Sequence, residues 1–518
     1  MIFLLCIATL LTTNLFATTV NTIEQLYKQV ERDPSYVRAR LQLAQALQKN
    51  KQHHEAFQHY KAVVTLHTTN FDAYLGMGQI LTKENQLHEA LHFFKAAVKT
   101  RPADKEKQKT LANALLQLGI TFFNQHDGAS ALQTFKTILQ INKQYWAVHH
   151  NIGFTLAERL GRHIEAIEHY RTALELNQNN PEVHFCYALS LLATGQFADG
   201  WHEYTERWQR PGKEPRNDIT TFERQWTGED LHNKTILLRA EQGLGDTLHF
   251  IRYAQLCKNE GAFVIAEVQK PLVKLLSLCP YIDQLIPMGQ PVPPFDYQIP
   301  LLTLPKIFKT STSTIPANIP YLYADEKLEK KWPFDMPKKS ATQGNIDLRV
   351  GLCWFGDAAH GQTKFMPLKK LEPLMQLDGV EFYSLQKFTG LDQIKHLSPD
   401  VELHIFDDDF DRTHGSFMDT AALMKHLDLV ITADTSVAHL AGGLGVPVWI
   451  LLPFPAEWRW LMDRSDSPWY PSARLFRQKK PGDWSDVQKE LLAALQEKVA
   501  IAPAKKLIEQ KDRISITC

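Results

Sequence analysis

Four segments of the chain repeat one order of side-chain sizes: E-A-F-Q-H-Y-K-A-V-V (55–64), E-A-L-H-F-F-K-A-A-V (89–98), S-A-L-Q-T-F-K-T-I-L (130–139) and E-A-I-E-H-Y-R-T-A-L (165–174). Each has a small residue (Ala56, Ala90, Ala131, Ala166), an aromatic four later and an apolar residue three beyond that. The small residues lie 34, 41 and 35 residues apart, and Gly200 with Tyr204 opens a fifth copy 34 residues on. A period of this length is one helix-turn-helix unit. The small residue lets two helices touch, and the aromatic fills the space beside it. One unit cannot bury its own face, so neighbours must stack into a superhelix. Gly78, Gly119 and Gly153 fall in the first helices, where close approach is needed, and Pro102 and Pro181 fall near unit boundaries, where a helix should stop. An insertion near Lys105 accounts for the longer spacing. Residues 23–210 are therefore read as an α-solenoid.

This period is that of the tetratricopeptide repeat (TPR). Such arrays offer a concave groove to a protein partner, or serve as spacers. Many histidines lie in the array (His53, His54, His59, His88, His92, His149, His150, His163, His169). Their positions on polar helix faces make solvated surface the better reading than a metal site. The fifth copy, D-G-W-H-E-Y-T-E-R-W (199–208), sets Trp201, Tyr204 and Trp208 on one stripe, as expected of a capping helix packed on the next domain. Residues 211–230 are polar and aperiodic and read as a linker.

Apolar runs and helical segments then alternate. Strands are expected at Thr235–Ala240, Ala262–Val268, Asp283–Pro287 and Phe295–Leu302, with a helix over Pro271–Leu278. Pro316–Gly344 breaks the pattern and is read as the joint between an N-terminal half (231–340) and a C-terminal half (345–500). In the second half strands are expected at Leu348–Trp354, Val380–Leu385, Val401–Phe406, Leu427–Thr432 and Val446–Leu452, with helices at Phe417–His426 and 485–498 and a tail over 501–518. Alternation of this kind implies two doubly wound parallel sheets. Ligands in such folds sit at the carboxyl edge of the strands.

Two turns at such edges carry chemistry. In A-E-Q-G-L-G-D-T (240–247) a strand ends in Gly243 and Gly245, and Asp246 opens a helix. The spacing is not the G-x-G-x-x-G dinucleotide pattern. Asp246 is a candidate general base, or a helix cap. In D-T-S-V-A-H (434–439) a buried strand meets a helix start. Free amides at Thr435, Ser436 and Val437 with two hydroxyls suit a diphosphate, although Asp434 or Thr435 capping the helix explains the same residues. Lys364 is placed to neutralise a phosphate, or is plain solvated surface. Gly243, Gly245, Trp354, Gln386 and Trp458 are candidates for lining the cleft.

Composition excludes several classes. Lys plus Arg and Asp plus Glu both number 57, so bulk charge gives no reason to expect nucleic acid. Cys6, Cys186, Cys257, Cys279, Cys353 and Cys518 form no C-x-x-C pair, which argues against zinc and against a disulfide framework. Ile2–Leu11 is apolar with Ala17 before a potential cleavage point, yet no basic residue precedes Lys28. Residues 1–22 are either an atypical signal peptide or an upstream extension that packs on or frays from the first helix. The run is too short to span a bilayer.

As a set, the array followed by W-x-x-Y-x-x-R-W, then A-E-Q-G-L-G-D-T, V-G-L-C-W-F-G, the D-T-S-V-A-H turn, W-R-W-L and S-P-W-Y-P-S, resembles bacterial TPR glycosyltransferases. Their catalytic part is similar to the ADP-heptose lipopolysaccharide heptosyltransferases. The resemblance implies a GT-B fold of two Rossmann-like halves. It implies an inverting transfer from a nucleotide-diphosphate sugar that needs neither metal nor cofactor, to a protein or glycan acceptor. It places the catalytic base on Asp246 and the donor contacts on Lys364, Asp434, Thr435, Ser436 and His439. Met366 stands where those enzymes have tryptophan in K-x-W-P. Because nucleotide sugars are cytoplasmic, the expected location is the cytoplasm, at or near the inner membrane face. The rival expectation is a TPR scaffold whose glycosyltransferase-like part is degenerate.

Overall fold

The computed structural model describes residues 22–210, 224–335, 348–356 and 364–515. It divides into two compact units, residues 1–179 and 180–518. The apolar segment before Thr22 and the linker residues 211–223 lie outside the described residues.

The first unit is a row of antiparallel helix pairs, among them Val37–Lys49 with His53–Leu66 and Phe71–Lys83 with Leu87–Lys99. Lys105–Asn124 with Gly128–Leu139 and Trp146–Leu160 with His163–Leu176 continue the row. The repeating sizes explain the pairing. A Cβ built on Gly78 would lie 2.5 Å from the Phe94 ring, on Gly119 2.4 Å from Phe135 and on Gly153 2.8 Å from Tyr170. Each ring thus occupies the hollow that a glycine leaves on the neighbouring helix, and each is buried. Asn70, Asp104 and Asp127 cap helix starts with their side chains. The histidines depart from the solvated reading. His54, His88 and His92 are exposed, but His163 is buried and His59, His149, His150 and His169 are half-buried. His149 and His169 share one Nδ1···Nδ1 hydrogen bond of 3.1 Å, and burial, then the charges of His149 and Lys136, bring His169 down to about 4.

The second unit begins with the last helical pair, Pro181–Ala193 and Phe197–Tyr204, and a short 3-10 turn, Thr205–Gln209. Two parallel sheets follow. The first has strands β1 (Thr235–Arg239), β2 (Phe263–Val268), β3 (Gln284–Pro287) and β4 (Tyr297–Pro300) in the order β3-β2-β1-β4. The second has β5 (Leu348–Cys353), β6 (Val380–Ser384), β7 (Leu429–Ala433), β8 (Val448–Leu452) and β9 (Ala473–Arg477) in the order β6-β5-β7-β8-β9. All pairings within both are parallel. An α-solenoid followed by an α/β region of two Rossmann-like halves is the fold expected from sequence. Val401–Phe406 is not a strand; it makes a single bridge, His404 to Tyr383. The terminal helix runs Ser485–Ser515, longer than the 485–498 expected. Within Pro316–Gly344, read as a joint, Tyr321 and Leu322 are buried, their amides donate to the Gly443 carbonyl (3.0 and 3.1 Å), and Glu326–Asp335 is helical.

The two halves meet through the helices Leu244–Phe250 and Ser436–Leu444. A Cβ on Gly245 would stand 3.0 Å from His439 Cδ2 and 3.5 Å from Ser436 Cα, so glycine is what lets the two first turns abut. Behind them His249 Nδ1 and His439 Nδ1 both bond the Tyr470 hydroxyl, at 2.9 and 2.8 Å. The buried Arg252 guanidinium donates to the carbonyls of His249 and Trp469 and to the Tyr321 hydroxyl.

Candidate functional site

In each sheet the strand order reverses at one point: between β1 and β4 in the first, between β5 and β7 in the second. Ligands of doubly wound folds bind outside the strand ends at such points. The Gly243–Asp246 turn follows β1 and the Asp434–Ser436 turn follows β7, so both turns singled out by sequence stand where topology predicts a site.

The first turn is built from charge. Glu241, buried just after β1, accepts from Arg207 Nε (3.0 Å) and Nη2 (2.7 Å) and from the Leu302 amide (3.1 Å). Arg207 also donates to Thr303 Oγ1 and to the Tyr204 carbonyl. The R of W-x-x-Y-x-x-R-W and the E of A-E-Q-G are thus one buried ion pair. Gln242 Nε2 donates to the Tyr204 hydroxyl (3.1 Å). Trp201 sends its indole N–H to the Thr310 carbonyl (3.1 Å) and packs edge-on against Trp458. The capping role expected of this helix is what the packing displays, although Trp208 is only half-buried and Arg207 takes the buried position beside it.

Asp246 closes the turn on itself: its Oδ2 accepts the Gly243 amide at 2.9 Å, the reciprocal half of a capping box. Its Oδ1 accepts from Arg459 Nη2. Arg459 also grips Glu457 Oε1 through Nη1, and its own amide donates to Glu457 Oε2 (2.9 Å). The guanidinium lies over the Trp458 ring, 4.5 Å from its centre, and its side chain is 8% exposed. Burial alone would lower the Arg459 pKa; Glu457, Asp246, Tyr204 and Asp434 more than reverse this and raise it. Neither Glu457 nor Arg459 was singled out from sequence. A charged residue between two tryptophans, two positions after an acid, was the available signal.

The second turn is braced by neutral groups. Thr435 caps the Ser436–Leu444 helix, its hydroxyl accepting the Val437 amide at 3.3 Å. The alternative of a simple cap therefore holds for Thr435, while Ser436 in the first helical turn has no intrahelical acceptor for its amide. Asp434 is pushed up by burial and by Asp246, against the opposing pull of the Trp460 indole, Arg459 and Lys364. Lys364 is exposed and close enough to act on Asp434. A Cβ on Gly356 would lie 3.1 Å from Thr435 Cγ2, so the loop after β5 rests on this turn.

Asp246, Gly243, Gly245, Lys364, Asp434, Thr435 and Ser436 are thus brought together; four other sequence candidates are not. His439 is 5% exposed, bonds Tyr470 and stacks on Trp460, which makes it a residue of the seam and not a donor contact. Trp354 is fully buried with its indole N–H on the Gly390 carbonyl (3.0 Å), so neither ring face is open to a ligand. Gln386 is buried because its Oε1 accepts the Trp354 and Phe355 amides and its Nε2 donates to the Phe355 and Thr389 carbonyls. Trp458 is sandwiched between Arg459 and Trp201. These three brace the site instead of lining it. Among the described residues no cluster of three or more His, Cys, Asp or Glu has the geometry to hold a metal ion. Among them, too, no helix is long and apolar enough to cross a membrane.

Residues 18–200 match the family model described as the tetratricopeptide repeat protein 21 C-terminal ARM domain. Protein FlbA of Caulobacter vibrioides is 24% identical over 412 residues, which cover 73% of this chain and 66% of FlbA, just under two thirds of that relative. Among solved structures the chain is similar to YrrB, described as a TPR protein with an unusual peptide-binding site (TM-score 0.29, 15% identity, 36% of this chain and 92% of that one). It is also similar to a glycosyl transferase family 9 protein from Veillonella parvula (TM-score 0.40, 12% identity, 53% and 99%). The chain is thus a TPR-like helical array leading into an α/β region of two parallel sheets.

Proposed function

We propose that the chain moves a sugar from a nucleotide-diphosphate sugar to a hydroxyl of a protein or glycan, with inversion and without metal. The observation that supports this most is the contact of the two first turns, Gly245 against Ser436, which brings the turn carrying Asp246 next to the Thr435 turn. In this reading the Ser436 turn and Lys364 hold the diphosphate, as fixed dipoles and charge beside a leaving group should. The acceptor oxygen attacks the anomeric carbon, the bond from that carbon to phosphate breaks with its electron pair leaving on the diphosphate, and Asp246 takes the acceptor proton. The helical array recruits the acceptor or a protein partner. The cytoplasm is the compartment this donor requires, and a mature protein starting at Thr18 would count against it.

Asp246→Ala is expected to lower transfer by about 10²–10⁴-fold while donor binding persists. Transfer by the purified variant at the wild-type rate removes Asp246 from this role. One observation favours the scaffold reading instead: both Asp246 oxygens are already engaged, by Arg459 and by the Gly243 amide. Calorimetry with a panel of nucleotide-diphosphate sugars separates the two. Binding of none, with tight binding of a protein to the array, supports the scaffold.

A further inference from the structure

This inference rests on the donor-site reading above. A carboxylate that takes a proton from an acceptor hydroxyl has to face that hydroxyl. Each Asp246 oxygen already has a donor: the Gly243 amide on Oδ2 and Arg459 Nη2 on Oδ1. A carboxylate paired with a guanidinium is also the weaker base. The Gly243 bond is internal to the turn and belongs to its capping box. Arg459 comes from the other half, in the 3-10 turn Trp458–Trp460, and is the donor that can leave.

Three features of Arg459 suit it to a second position. Its guanidinium is divided between Asp246 and Glu457, and its buried Nε–H meets no acceptor among the described residues. Its planar fork is thus not matched to a single two-oxygen acceptor, the geometry that phosphate supplies. It stands within electrostatic reach of Asp434, which opens the Thr435 turn. Two residues further on, Leu461 has φ 54° and ψ −174°, a combination that residues with a Cβ rarely adopt. Neighbouring bonds impose it: the Leu461 amide donates to the Trp458 carbonyl at 3.0 Å, and Arg477 Nη2 to the Trp460 carbonyl. Strain of this kind favours a rearranged turn once a competing contact is offered.

We propose that Arg459 is a donor-operated clamp: a docking diphosphate draws the guanidinium off Asp246 and onto its own oxygens, and the carboxylate so released serves as the base. Glu457 accepts from both the side chain and the amide of Arg459, which tethers the arginine beside the site as it moves. The base is then unmasked only when a leaving group is in place. The engagement of both Asp246 oxygens marks a resting state in this account.

Calorimetric titration of the full chain with ADP, GDP and UDP at pH 7.5 tests this, because the clamp predicts effects of opposite sign. Arg459→Gln removes the diphosphate's partner and should weaken binding about 10–100-fold. Asp246→Asn removes the competitor for the guanidinium and should tighten binding about two- to fivefold. Joined to Arg459→Gln, Asp246→Asn should lose most of that gain, since the gain needs the guanidinium. Should Arg459→Gln fail to fold, Arg459→Lys keeps the charge without the fork and should still bind more weakly than wild type. Binding to wild type that Asp246→Asn leaves unchanged or weakens overturns the clamp and leaves the donor reading standing. A gain that persists in full without Arg459 is plain removal of a negative charge and overturns it equally. Binding to Asp246→Asn but not to wild type supports the clamp in its strongest form. If neither protein binds any of the three, the donor reading fails and the clamp fails with it.

Discussion

The turn after β1 and the turn after β7 hold equivalent places in their sheets, and they are secured by opposite means. The first depends on ion pairs: Arg207 with Glu241, both buried, and Arg459 with the half-buried Asp246. The second depends on neutral groups: the Thr435 hydroxyl at the helix start and the Gln386 amide that ties the loops after β5 and β6. A turn that presents a carboxylate is aimed by the opposite charge it pairs with. A turn that offers backbone amides needs only to stay open, and a neutral brace leaves those dipoles free for an anion. Topology sets where the two turns meet; electrostatics gives them different surroundings.

That contrast can be broken. Arg207→Ala leaves the Glu241 carboxylate buried without its cation, so unfolding free energy measured in urea should drop by about 3–5 kcal/mol. Joint replacement by Met at 207 and Leu at 241 should recover much of that loss, because an apolar pair removes the stranded charge. A loss below about 1 kcal/mol for Arg207→Ala would mean the first turn does not depend on charge. Gln386→Ala removes the acceptor of two buried amides and should cost about 2–3 kcal/mol. Unlike the Arg207 effect, this cost should hold steady from pH 5.5 to 8.5 and with added salt. A cost that varied across that range would blur the distinction between the turns. Thr435→Val should cost the least, about 1 kcal/mol for a lost helix cap, read as a small fall in melting temperature.

How much of this was legible in the sequence depends on which force dominates locally. The array was open to reading because packing repeats: Ala56, Tyr60 and Val63 recur as Ala90, Phe94 and Ala97, and all six are buried. The sheet strands were legible where both faces are covered and the residues run apolar, as in β7 and β8. β9 escaped because Arg474 and Arg477 interrupt its run and stack on the aromatic rings around them or reach back to carbonyls. At the site, Asp246 and Thr435 were visible through local turn chemistry. The partners that give them their character were not, since Arg459 is 213 residues from Asp246 and pairs with it only after folding. Arg207 was readable in hindsight. It falls three residues after Tyr204, where the other repeats have Val63, Ala97, Ile138 and Ala173, so a cation there requires a buried acid.

Tyr470 has one hydroxyl hydrogen and faces two imidazole nitrogens, His249 Nδ1 and His439 Nδ1. Burial, with Arg252 and Arg459 nearby, keeps both rings well below their ordinary pKa and so uncharged. The phenol can satisfy at most one of them as donor, which obliges at least one ring to adopt the Nδ1–H tautomer. Pulling the halves apart would abandon that proton order and strand the Arg252 guanidinium in the same movement.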